Sequence, residues 1–120
     1  MDRFKDKTVL VTGACGTVGA ELVRQLVAGP AAHVVCIDNN ETELFFQVEH
    51  HRASGKISGH LADIRDREAL KLRMRGVDIV LHAAALKHVG LCEETLESGA
   101  PVKRVVKDIL HASQYMPLIS

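Results

Sequence analysis

Short apolar runs alternate with segments of helical periodicity along this chain. Val9-Leu10-Val11 suits a strand buried on both faces and predicts β structure over about 7–12. An amphipathic helix follows over 17–28, and Gly29-Pro30 ends it, because proline cannot continue a helix. His33-Val34-Val35-Cys36-Ile37 is the second strand. A second helix is expected over 40–53, with Leu44, Phe45 and Val48 on one face. Residues 55–61 give a third strand, weakened by Gly55 and Gly59. Asp66 should cap a charged helix running to Arg75, with Leu70 and Met74 inward at i and i+4 and Gly76 as its stop. Val77 to His82 is the fourth strand. Pro101 fits a first helical turn, and 102–115 reads as helix with Val102, Val105, Val106, Ile109 and Leu110 on one side. A fifth strand could begin at 116–120.

This alternation is the signature of an α/β fold, a parallel sheet with helices on both faces. Right-handed crossovers then make the sheet order begin 3-2-1-4. A sheet that ends at its fourth or fifth strand leaves a bare edge. The expectation is one truncated domain over 1–120 that is incomplete, marginally stable or paired with another chain.

The turn after the first strand carries the chemistry. Thr12-Gly13-Ala14-Cys15-Gly16-Thr17-Val18-Gly19 places glycines at spacings of three between a strand and a helix N-terminus. That arrangement receives a dinucleotide pyrophosphate: one glycine makes the tight turn, one admits phosphate to backbone N–H groups, and one lets the helix pack closely. Asp38 ends the second strand, 19 residues after Gly19, near the ~20-residue offset of an acid that accepts the ribose hydroxyls. Its carboxylate would repel a 2′-phosphate, and Asn39 and Asn40 follow it rather than arginine, so NAD is expected over NADP. In sheets of this kind ligands sit beyond the carboxyl ends of the strands, where 12–19, 38–40, 62–65 and 82–88 converge. Asp63 stands there to bind an adenine amino group, with Ile64 alongside. Ala83, Ala84 and Ala85 would let the backbone pass close to the cofactor.

Charge and composition narrow the partners. The 120 residues hold 15 Lys+Arg against 15 Asp+Glu, so nothing favours nucleic acid or an anionic membrane surface. Aromatic residues make up only 3%, too few for a base-stacking platform. No apolar stretch approaches the ~20 residues of a membrane span. Cys15, Cys36 and Cys92 lack metal-type spacing and read as reduced cytoplasmic thiols. Cys15, near a helix N-terminus, reads as a small filler rather than a nucleophile. Among seven histidines, His50 and His51 are adjacent and expected to face apart, so no metal site is expected.

Three segments sharpen the picture: Asp38-Asn39-Asn40-Glu41-Thr42-Glu43-Leu44, Ala62-Asp63-Ile64-Arg65-Asp66 and Gly76 through His82-Ala83-Ala84-Ala85-Leu86-Lys87-His88-Val89. With the glycine turn, they resemble the extended short-chain dehydrogenase/reductases, in the polysaccharide-biosynthesis branch of sugar-nucleotide 4,6-dehydratases and epimerases. The resemblance covers residues 7–94. It implies a Rossmann-type domain with NAD(P) on residues 12–19, Asp38, Asp63, Ile64 and Ala83 to Ala85. It places Lys87 and His88 at the nicotinamide and sugar end, with Lys87 on the substrate side. It also implies hydride storage on the cofactor while a UDP-N-acetylglucosamine-like substrate is oxidised at C4 and loses water across C5–C6. The family's Tyr-x-x-x-Lys is absent: the single tyrosine, Tyr115, is followed four residues on by Ile119. The expectation is also that the family's C-terminal substrate domain is missing, and residues 90–120 depart from its pattern. The expectation is a cofactor-binding half, inactive alone, with a homo-oligomer left open. A non-catalytic NAD-binding module and a truncated product without activity stay open beside it, as does the origin of residues 90–120.

Overall fold

The computed structural model describes residues 2–83 and 104–106, the last three by their backbone. Five parallel strands form one sheet: β1 (Thr8–Thr12), β2 (His33–Asp38), β3 (Ile57–Leu61), β4 (Ile79–His82) and β5 (Arg104–Val106), in the order β3-β2-β1-β4-β5. Helices α1 (Thr17–Ala28), α2 (Glu41–His50) and α3 (Arg67–Arg73) make the crossovers between the first four strands. The expected order 3-2-1-4 and the parallel α/β class both hold.

Strand alternation splits the core in two. Val9, Val11, Val34, Cys36, Ile79 and Leu81 face one way, against Leu22, Val23 and Leu26 of α1 and Leu44 of α2. Leu10, Val35, Ile37 and Val80 face the other way, against Leu70 and Met74 of the third crossover. Every central strand is therefore apolar on both sides, which is why its sequence is a continuous run rather than an alternation. Each fully buried leucine contributes about 2 kcal/mol relative to an exposed one.

Local signals set the helix ends. Asn40 caps α2 by accepting from the Glu43 N–H at 3.1 Å, and Asp66 caps α3 by accepting from the Ala69 N–H at 3.1 Å. Gly76, at φ +77°, makes the turn beyond α3. The end of α1 is held from a distance: Lys56 Nζ donates to the carbonyls of Gly29 at 2.6 Å and Ala31 at 3.0 Å. A cation at a helix C-terminus also complements the helix dipole.

Three expectations are corrected. Helix α2 stops at His50, followed by a short 3-10 turn over Arg52–Ser54, and Phe45 does not face the core. Leu44 is buried and Val48 half-buried, whereas Phe45 is 60% and Phe46 63% exposed, their rings edge to face. Positions 44 and 48 lie one turn apart on the face toward β3; position 45 is rotated about 100° from it. Gly59 explains that docking, since a Cβ there would stand 2.7 Å from Val48 Cγ2. The glycine that weakens β3 locally is the one that lets α2 approach it. Second, residues 104–106 are strand rather than helix, paired with β4 in the register Val80↔Val105. The open edge of β4 accepts a segment with two β-branched residues, and pairing overrides the helical spacing. The remainder of the helix expected over 102–115 and the strand expected at 116–120 lie outside the described residues. Third, His50 and His51 do not face apart: their rings meet edge to face with centroids 4.7 Å apart, because His51 has left the helix as its C-cap.

Candidate functional site

Sheet register assembles the site. Thr12 lies opposite Ile37 on one side and His82 on the other, and Asp38 lies opposite Leu61. The residues after β1, β2, β3 and β4 therefore emerge at one end of the sheet. They surround a cleft of about 830 Å³ lined by Gly13, Cys15 to Gly19, Asp38 to Asn40, Glu43, Ala62 to Arg65 and Ala83.

The glycine turn forms the floor. Gly13 takes φ +63°, and the Gly16 N–H closes the turn on the Gly13 carbonyl at 3.1 Å. Gly16 is the N-cap of α1 and offers no side-chain acceptor, and no acid occupies the first turn. The leading N–H groups of a helix have no intrahelical acceptor, and those of Thr17, Val18 and Gly19 stand at the cleft wall. Gly19 brings α1 onto the turn: a Cβ there would fall 2.0 Å from the Gly13 carbonyl oxygen.

Asp38 ties three elements together. Its Oδ2 accepts from the Cys15 N–H and its Oδ1 from the Asn40 N–H, both at 2.9 Å. The carboxylate joins the end of β2 to the glycine turn and to the cap of α2, with one edge toward the cleft. Gln47, from the middle of α2, donates to the Ala14 carbonyl at 2.8 Å and holds the turn from behind. Sequence reasoning missed Gln47, whose partner lies 33 positions away.

Asp63 and Ile64 form the far wall. Ile64 packs against the core behind the sheet. Asp63 is engaged by Arg65, whose guanidinium and backbone N–H hold the carboxyl down at about pKa 2. Arg65 and Glu43 were not singled out from the sequence, yet both line the cleft.

Thr12 stands apart from the other expected residues. Its side chain is fully buried behind the cleft, with Oγ1 2.6 Å from Nδ1 of the equally buried His82. That contact joins β1 to β4. Ala84, Ala85, Lys87 and His88 lie outside the described residues. Among the described residues, no group of three or more His, Cys, Asp or Glu side chains comes together to hold a metal.

Cys15 sits in the turn without nucleophilic character. Burial, then the charges of Asp38 and Glu43, push its thiol up to about 12, and burial does the same for Cys36. A three-unit rise cuts the thiolate fraction at pH 8 roughly a thousandfold. In the folded protein, alkylation of both sites by iodoacetamide at pH 8 should be slower than in the denatured chain by two orders of magnitude or more. Peptide mapping reads this; equal rates in the two states would refute the burial argument. The native state holds these protons more tightly than the unfolded one. Their contribution is thus complete below about pH 9 and lost as pH climbs toward 12.

Comparison with known proteins agrees with this geometry. The family model described as "Polysaccharide biosynthesis protein" matches residues 9–114. An uncharacterized membrane protein of Methanocaldococcus jannaschii, MJ1061, is 48% identical over 90 residues, covering 75% of this chain and 27% of that protein. A UDP-N-acetylglucosamine 4,6-dehydratase (inverting) of Campylobacter jejuni is 32% identical over 90 residues, with the same coverage. The X-ray structure of Pen from Bacillus thuringiensis superposes with a TM-score of 0.64 at 32% identity, covering 78% of this chain and 28% of that one. The chain spans about a quarter of the length of these relatives. Among the described residues no helix is long and apolar enough to cross a membrane.

Proposed function

Because the chain belongs to the polysaccharide biosynthesis protein family, with a short-chain dehydrogenase/reductase-like fold, we propose that it is the NAD-binding portion of a sugar-nucleotide 4,6-dehydratase or epimerase. One observation carries the reading. An uncapped helix N-terminus, a glycine turn and a carboxylate 2.9 Å from that turn share one cleft of about 830 Å³. A dinucleotide presents the matching groups: a pyrophosphate for the N–H donors and two ribose hydroxyls for Asp38.

The residues divide the work. Thr17, Val18 and Gly19 donate backbone N–H groups to the pyrophosphate, and Gly16 lets it approach. Asp38 accepts from the adenosine ribose, and its charge disfavours a 2′-phosphate there, so NAD binds in preference to NADP. Asp63 accepts from the adenine amino group while Ile64 covers the ring. Ala83, only 5% exposed, leaves room for the middle of the cofactor, and the resemblance extends that role to Ala84 and Ala85. Lys87 would meet the substrate side, where a UDP-sugar is bound. When bound, the nicotinamide would supply reversible hydride storage, holding the hydride removed at C4 while water is lost across C5–C6 and until it is returned to C6, so that a C4 ketone remains.

A thermal melt with and without dinucleotide tests the proposal. NAD at a hundred times its dissociation constant should stabilise the fold by about 2.7 kcal/mol, raising the midpoint by several degrees. NADP at equal concentration should raise it less. A cooperative melt unmoved by either dinucleotide would overturn the reading.

A further inference from the structure

We propose that Arg65 is a positioning residue that makes this site selective for a 6-aminopurine, by clamping Asp63 with a single acceptor direction left toward the cleft. The proposal rests on the dinucleotide reading and adds a residue to it.

The geometry of one carboxylate carries it. Asp63 Oδ1 accepts from the Arg65 backbone N–H at 2.8 Å and from Arg65 Nε at 3.1 Å. Oδ2 accepts from the terminal guanidinium nitrogen at 2.8 Å. Each carboxylate oxygen has two acceptor positions, so Oδ1 is filled and Oδ2 keeps one. A fork from a planar guanidinium fixes the plane of the carboxylate as well as its charge.

The turn that carries the pair is itself held. The Asp66 N–H donates to the Asp63 carbonyl at 2.9 Å, and Asp66 in turn caps α3. Asp63 and Ile64, the latter packed against the core, both line the cleft, so the remaining acceptor position of Oδ2 is the one left for a ligand there.

Stability does not explain the arrangement. Arg65 is 84% exposed, and ion pairs at such positions contribute little to folding. What the clamp controls is recognition. A 6-amino group donates to the remaining lone pair. A 6-oxo group presents an acceptor to an ionised carboxylate and is rejected, since the site then holds a polar group without a partner. An unclamped carboxylate is free to rotate and spreads its acceptors over several directions.

Titration calorimetry with NAD and with nicotinamide hypoxanthine dinucleotide, its 6-oxo analogue, tests this. The wild-type chain should prefer NAD by about tenfold or more. Arg65→Ala should cut that preference to about threefold or less while the unliganded melt stays within a few degrees. Arg65→Lys should not restore it, because a point charge lacks the fork. Asp63→Ala should erase it. Undiminished preference in Arg65→Ala, full rescue by Arg65→Lys, or equal loss for both ligands would overturn the clamp while leaving dinucleotide binding intact. A wild-type chain that binds neither ligand would instead remove the reading on which the clamp rests.

Discussion

Replacing Gly19 by alanine is expected to lower the melting midpoint by about 10 °C or more. The added Cβ would lie 2.0 Å from the Gly13 carbonyl oxygen, 2.8 Å from its carbon and 2.9 Å from Ala14 Cα. All three are backbone atoms, so no side chain can swing aside. The backbone cannot retreat cheaply either. The Ala14 N–H is bonded to the Ile37 carbonyl at 3.1 Å, and the Ala14 carbonyl is held by Gln47. Overpacking against a fixed neighbour costs about 3 kcal/mol, which is about 10 °C for a domain of this size. Gly16→Ala is the matched control. Its Cβ would meet only the Gly13 oxygen, at 3.5 Å, and the residue has an ordinary φ of −73°. A circular-dichroism melt in which both variants unfold within a few degrees of wild type would refute the close-approach argument.

Asp38→Ala is expected to weaken NAD binding about a hundredfold, the largest effect on affinity of any single change. The side chain has two tasks. It would accept charge-assisted hydrogen bonds from the ribose, together worth about 3 kcal/mol. It also holds the Cys15 and Asn40 N–H groups at 2.9 Å, and through them the glycine turn and the start of α2. Losing the carboxylate removes both the contact and the preorganisation. Binding of NADP should fall less, because the repulsion of its 2′-phosphate disappears with the charge. Titration calorimetry with both dinucleotides measures the ratio. An unchanged preference for NAD would show that another group sets the discrimination.

How far each residue could be read from the sequence follows from the distance over which its environment is set. Asp66 was readable as a cap, because a cap bonds an N–H three positions away; Asn40 caps α2 in the same way but was read only as a neighbour of Asp38. Gly13 was readable because a turn out of a strand demands its positive φ. Asp38 was readable because its offset from the glycines is fixed by one crossover helix. For Thr12 the motif gave a position in the chain but not the buried His82 across β4. Arg65 stood in the segment 62–65 without a role of its own, and its fork on Asp63 is visible only in the structure. Phe45 was assigned to the core on helical spacing alone, although the face of α2 that docks is chosen by Gly59 on a neighbouring strand.

The sequence by itself determined the alternation of strands and helices, the glycine turn, the caps and the acid at the end of β2. These depend on backbone sterics and on hydrogen bonds spanning a few residues, which any chain carrying that segment must obey. Only the tertiary structure decided that residues 104–106 pair with β4, that Lys56 closes α1, that Gln47 braces the turn and that Thr12 locks onto His82. Each of those contacts joins residues at least two dozen positions apart. Its energy is available only once strand order and register have brought the partners within about 3 Å, and no local periodicity encodes that.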